Sequence, residues 1–133
     1  MEGREMSRAS KSELSKSSRY YVPRNRYHEL RYFCLQFHDW ERRQNSLIGL
    51  ATRANREPTD SEAFEKIALE NKIKMVTFSA EEAGHELSHW ILVGVTTGLT
   101  YGKLNAPDPM PCGRELYYSI YRKFFYILDR IRD

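Results

Sequence analysis

Cysteine is scarce in this 133-residue chain: Cys34 and Cys112 stand far apart and form no CxxC pair. That spacing offers neither a disulfide framework nor a zinc-ribbon ligand set, and implies two free thiols in a reducing, cytoplasmic setting. Long hydrophobic runs are missing as well. The longest, Trp90-Ile91-Leu92-Val93-Gly94-Val95, falls far short of the roughly 20 residues that cross a bilayer. The N-terminus is charged and Ser-rich with no apolar stretch, so no secretory signal and no membrane contact are expected. The glycines form no phosphate-cradling loop, which leaves no nucleotide-type cofactor to expect. Neither an internal repeat nor a credible strand pair is present.

What the chain does have is hydrophobic and aromatic content, 41% and 13%, enough for one packed core. Charge is unevenly spread. Residues 1–32 carry eight Lys/Arg and four Glu, residues 33–111 carry eight against eleven, and residues 112–133 carry five against three. Basic ends around an acidic middle suit contacts made by the terminal segments with nucleic acid, although ordinary surface solvation produces the same distribution.

Residues 1–18 mix Ser, Lys, Arg and Glu without apolar periodicity and read as a disordered tail. Residues 19–133 read as one all-α domain, a small helical bundle. Beyond Pro23, the residues Tyr27, Leu30, Phe33, Cys34, Phe37 and Trp40 recur at spacings of three and four, predicting one helix. A loop follows over about Thr52–Pro58. Thr59 with Glu62 three residues on is a capping box that starts a long helix, with Phe64, Ala68, Met75 and Phe78 along one side and Gly84 as its stop. A third helix is expected over His85–Thr97, closed by Gly98.

Residues 99–133 suggest a helix-turn-helix. Leu99–Leu104 forms a turn or two, Pro107, Pro109 and Pro111 break the chain, and from Cys112 a helix runs on a stripe of Leu116, Ile120, Phe124, Ile127, Leu128 and Ile131. Such a second helix packs by one face while its N-terminal half presents polar groups to the major groove. Arg114, Glu115, Tyr118, Ser119 and Arg122 would be presented, with Lys123 on phosphate. Arg pairs with guanine edges and Glu accepts from cytosine, whereas Tyr and Lys suit phosphates. A plain packing helix with a solvated face is the competing interpretation.

A resemblance bears on this choice. Tyr20-Tyr21-Val22-Pro23-Arg24, Arg31-Tyr32-Phe33-Cys34-Leu35-Gln36-Phe37, Lys72-Ile73-Lys74-Met75-Val76, Val95-Thr96-Thr97-Gly98-Leu99-Thr100-Tyr101 and Pro111-Cys112-Gly113-Arg114-Glu115-Leu116-Tyr117-Tyr118 resemble a family of phage and prophage proteins of Gram-positive bacteria. The C-terminal part is more distantly similar to the DNA-reading domain of sigma factors and to ArpU-like phage transcriptional regulators. The resemblance implies a phage regulator that binds double-stranded DNA, with Arg114, Glu115, Tyr118, Arg122 and Lys123 in recognition-helix positions. One departure is Ala106-Pro107-Asp108-Pro109-Met110, which stands where those families have a longer helix.

Two other constellations compete. His85-Glu86-Leu87-Ser88-His89 fits the HExxH pattern, in which two His at i and i+4 hold zinc and the Glu serves as general base. The third ligand is missing: Leu92 and Val95 occupy the Gly and His places of the HxxGxxH extension, and Glu115 is the only downstream Glu. The pair is therefore read as metal-free surface or capping histidines. Cys34 and His38, also at i and i+4, read as a buried thiol beside an exposed imidazole. The tyrosines Tyr20, Tyr21, Tyr27, Tyr32, Tyr117, Tyr118 and Tyr121 exceed the needs of a small core and raise a protein-binding surface, directed at a host protein or the host transcription machinery. The preferred expectation is a non-enzymatic phage DNA-binding regulator of transcription, with the first two helices as scaffold and a candidate homodimer interface. The alternatives are a factor that binds a host protein and a zinc metallopeptidase.

Overall fold

A computed structural model describes residues 19–106 and 109–132, and the 1–18 tail lies outside them. Among the described residues, six α-helices and one 3₁₀ turn follow one another: α1 (Arg24–Leu35), α2 (Phe37–Arg53), α3 (Asp60–Ala83), the 3₁₀ turn His85–Leu87, α4 (Ser88–Thr97), α5 (Tyr101–Asn105) and α6 (Arg114–Arg132). No strand is present among the described residues, and none of their helices is long and apolar enough to cross a membrane. The fold is an all-α bundle.

The expected first helix is two. Its periodicity is unbroken, but at Gln36 the backbone opens to φ −87°, ψ −1°, and the Gln36 N–H bonds three residues back to Phe33. The bend swings α2 onto α3 while keeping Phe33 and Trp40 in contact, their ring centroids 4.8 Å apart. Both sides of the break stay apolar, so spacing alone conceals it. Asn55 then ends α2 in the left-handed region (φ 53°), a conformation asparagine tolerates, and the Arg56 N–H caps the Ala51 carbonyl.

The capping box of α3 forms as expected. Thr59 Oγ1 accepts from the Glu62 N–H, and Glu62 returns the bond to the Thr59 N–H. The inner face of α3 is another matter. Leu69, Val76, Ser79, Ala80 and Ala83 are buried, whereas Phe64 is 74% and Phe78 49% exposed, Ala68 is exposed and Met75 half-buried. The helix carries two stripes, and packing selects the one with smaller residues. The C-terminal half of α3 meets both α4 and α6, and Ser79, Ala80 and Ala83 let those backbones come close. The Ser79 hydroxyl is satisfied by donating to the Met75 carbonyl at 2.8 Å.

Gly84 stops α3 as expected, but the third helix does not begin at His85. His85–Leu87 is a 3₁₀ turn, and α4 starts at Ser88. The chain leaves α3 extended at Gly84 and needs this tight turn to put Leu87 into the core. Gly98, at φ 80°, closes α4.

The last helix is the post of the bundle, packed against α3, α1 and α4. Its buried residues are Tyr117, Phe124, Phe125 and Leu128. The expected stripe is rotated: Leu116 is 52% and Ile131 40% exposed, and Ile120 and Ile127 lie at the shoulder. Tyr117 takes the place assigned to Leu116 because α4 offers it a slot over Gly94, where an added Cβ would stand 2.2 Å from the Tyr117 hydroxyl. On the α1 side, the Tyr27 and Tyr121 hydroxyls hydrogen-bond at 2.7 Å, and Arg26 grips Asp129 at 2.5 Å.

Candidate nucleic-acid interface

The six proposed reading residues divide into two groups around α6. Arg114 and Tyr118 contact α5, Arg114 remaining exposed and Tyr118 half-buried. The Arg114 guanidinium lies 5.1 Å over the Tyr101 ring, and the Tyr118 hydroxyl accepts from the Tyr101 N–H at 3.1 Å. Tyr101 in turn donates from its hydroxyl to the Cys112 carbonyl at 2.8 Å. Helix α5 has only five residues and too little surface to brace α6 by apolar packing alone, so polar and cation–π contacts tie the two together.

Glu115, Ser119, Arg122 and Lys123 lie about a quarter turn farther round the helix, at spacings of three and four that define one face, with Arg122 adjoining Tyr118. Glu115 is exposed, and Ser119, Arg122 and Lys123 are half-buried. Burial lowers the pKa of the Arg122 guanidinium, because the charged group is partly withdrawn from water.

The same face continues beyond the predicted residues. Tyr126 and Arg130 follow at the next turns, with the Arg130 guanidinium 5.3 Å from the Tyr126 ring centroid. The Tyr20 ring meets Tyr126 edge-on at 5.4 Å, and Arg19 lies 5.3 Å over Tyr20. Arg19, Tyr20, Tyr126 and Arg130 thus form one chain of contacts, two touching rings flanked by a cation at each end. Extending Glu115–Ser119–Arg122 by another four and eight residues points to Tyr126 and Arg130. Nothing in the sequence pairs Tyr20 with them. Asp129, an acid on α6, is neutralised by Arg26, whose guanidinium also reaches the Asp129 carbonyl at 3.3 Å.

The HExxH segment spans the junction of the 3₁₀ turn and α4, so its two histidines do not share one regular helix. His85 Nδ1 lies 2.8 Å from Glu81, whose other oxygen accepts from Ser88. His89 and Glu86 are exposed, and His89 meets Trp90 edge-on. Among the described residues, no three His, Cys, Asp or Glu gather as a metal-ligand group. Beside this turn lies a groove of about 310 Å³ lined by Leu87, Pro111, Cys112, Leu116 and Ile120 together with His85. Cys34 is enclosed in the core, where burial pushes its thiol up to about 12, while His38 is exposed and turned to Glu41.

Most of the tyrosines considered as a binding surface pack on one another. Tyr117 and Tyr118 stack edge-on at 4.9 Å, Tyr118 and Tyr121 at 5.4 Å, and Tyr27 is buried against Phe125. Tyr32, at 62%, is the most exposed large ring of the set among the described residues. No protein family, curated protein or solved structure matches this chain.

Proposed function

We propose that this protein is a phage- or prophage-derived DNA-binding regulator of transcription that acts without catalysis. The observation that carries this reading is the continuous outward face of α6. Glu115, Ser119, Arg122 and Lys123 run on into Tyr126, Arg130 and the Arg19–Tyr20 pair. A major groove about 12 Å wide admits one α-helix. With α6 in it, Glu115 and Ser119 in the N-terminal half address base edges, and Arg122 follows one turn later. Lys123, Arg130 and Arg19 hold phosphates, which positions the helix without reading sequence. Arg114 and Tyr118 keep α5 fixed against α6. The Arg26–Asp129 pair masks a carboxylate that would otherwise repel the phosphate backbone.

The test is a selection from random duplexes followed by fluorescence titration at two salt concentrations. An enriched sequence with affinity falling steeply in salt supports the reading. No duplex binding at low salt removes it. A second reading, a phage factor that binds a host protein, draws on the groove beside the 3₁₀ turn, where Leu116 is half exposed against Leu87, Pro111 and Ile120.

A further inference from the structure

Helix α3 buries one stripe and leaves the other in water. Phe64 (74% exposed), Ile67 (53%) and Phe78 (49%) lie on the open side with exposed Ala68 and Asn71 and half-buried Met75. With rings and branched side chains of 150–250 Å² each, these exposures amount to roughly 300–350 Å² of apolar surface per chain. Scattered single apolar residues need no partner, but a stripe spanning four turns of one helix does.

The stripe is a palindrome. Ile67 and Met75 stand four residues either side of Asn71, and Phe64 and Phe78 stand seven. These are the spacings that repeat on a helix seam. Asn71 is also at the middle of Asp60–Ala83. The polar flank is complementary in the same sense: Glu70 and Lys74 lie on one shoulder of the stripe, on either side of the Asn71 level.

We infer that α3 is the dimerisation element, pairing antiparallel with α3 of a second copy about a two-fold axis at Asn71. In that register Phe64 packs on Phe78 of the second copy, and Ile67 on its Met75. Asn71 meets its own counterpart, so the two amides exchange hydrogen bonds and fix the register, as a single polar residue does in a helix seam. A two-fold of this kind brings the same shoulder of both helices together. Glu70 therefore faces Lys74 of the second copy, and the contact is made twice. A parallel pairing would instead set this shoulder against the opposite one of the second copy, so Glu70 and Lys74 would not meet. The Glu70–Lys74 contact is thus made in the antiparallel arrangement alone. The inference concerns a face of α3 opposite its buried contact with α6, and does not rest on the DNA-binding reading.

The experiment combines sedimentation equilibrium with cysteine cross-linking of the full chain. Sedimentation should show a monomer–dimer equilibrium at micromolar to tens of micromolar chain. Phe64→Asp should abolish the dimer while circular dichroism keeps its helical signal, since Phe64 is not part of the core. Glu70→Lys should raise the dimer dissociation constant about tenfold, and Glu70→Lys with Lys74→Glu should restore it to within about threefold. In a Cys112→Ser background, with Cys34 enclosed, Asn71→Cys should form a disulfide-linked dimer on mild oxidation. Phe64→Cys should not, because antiparallel pairing holds the two copies of that position about 20 Å apart. A chain that stays monomeric throughout the range overturns the inference. Cross-linking of Phe64→Cys as readily as Asn71→Cys overturns the antiparallel arrangement.

Discussion

The Tyr117 hydroxyl is buried between α6 and α4 with no hydrogen-bond partner among the described residues. Burial drives its pKa well up, so it remains a neutral donor. A buried polar group in that position costs about 1–3 kcal/mol, whereas an isosteric apolar group costs little. Tyr117→Phe should therefore stabilise the protein by about 1 kcal/mol, after allowing for a small void, and raise Tm by about 3–5 °C. The same hydroxyl stands 2.2 Å from where a Cβ on Gly94 would be, with Leu104 Cδ1 next at 3.2 Å. Gly94→Ala alone forces α4 and α6 apart and should cost about 1–2 kcal/mol, even after the gain in helix propensity. In the double mutant, the nearest remaining Tyr117 atom is Cζ at 3.6 Å, ordinary contact. The double mutant should be about 1 kcal/mol more stable than the parent, where a simple sum gives a loss of about 0–1 kcal/mol, so the coupling is about 1–2 kcal/mol between two substitutions that each change one or a few atoms. Urea unfolding of the four proteins at constant m-value measures the cycle. If Tyr117→Phe destabilises, or if the two effects simply add, the slot over Gly94 has been misread.

Arg122→Ala should cost about 1–3 kcal/mol at the selected DNA site and flatten discrimination, while Lys123→Ala should weaken all duplexes alike and reduce the salt slope by about one unit; titrations of the two variants should differ in this way. The Arg56 guanidinium and the Thr59 backbone hold Glu62 down to about 2. Because the folded-state pKa is depressed, its contribution is complete above the unfolded carboxylate range and is lost as pH falls from about 5 toward 2. The Tm difference between the parent and Glu62→Gln should shrink over that window. Asp129→Ala should destabilise by about 1 kcal/mol by leaving the half-buried Arg26 with Glu29 as its remaining carboxylate, readable by urea denaturation. His85→Ala should keep the fold and leave zinc content far below one per chain, checked by elemental analysis and circular dichroism.

Helix starts and stops were legible wherever a residue's own chemistry sets them. Thr59 and Glu62 cap by reaching each other, Asn55 and Gly98 adopt left-handed conformations, and Gly84 ends α3. Facing was not. A helix with two apolar stripes, like α3, satisfies the same periodicity whichever one is buried, and the decision belongs to the neighbours that arrive from elsewhere in the chain. The rotation of α6 has the same origin: Tyr117 displaces Leu116 because of a glycine on α4 that its own helix does not reveal. The break at Gln36 is hidden because it interrupts backbone geometry without interrupting the run of apolar side chains. At the candidate interface, Glu115, Ser119, Arg122 and Lys123 follow from spacing along one helix. The contacts of Arg114 and Tyr118 with Tyr101 depend on where α5 comes to lie, and the Tyr20–Tyr126 contact on tertiary packing.

The two thiols make the protein its own clock. Cys112, half-buried at the groove, is open to an alkylating reagent in the native state, whereas Cys34 is sealed on the inner face of α1 with its thiolate strongly disfavoured. Modification of Cys34 must wait for the core to open. If opening is global and costs about 5 kcal/mol, labelling slows by a factor on the order of 10³–10⁴ relative to a free thiol. Following the two sites by mass in one reaction therefore reports the opening equilibrium of the native protein without denaturant, with Cys112 as the internal reference for reagent strength.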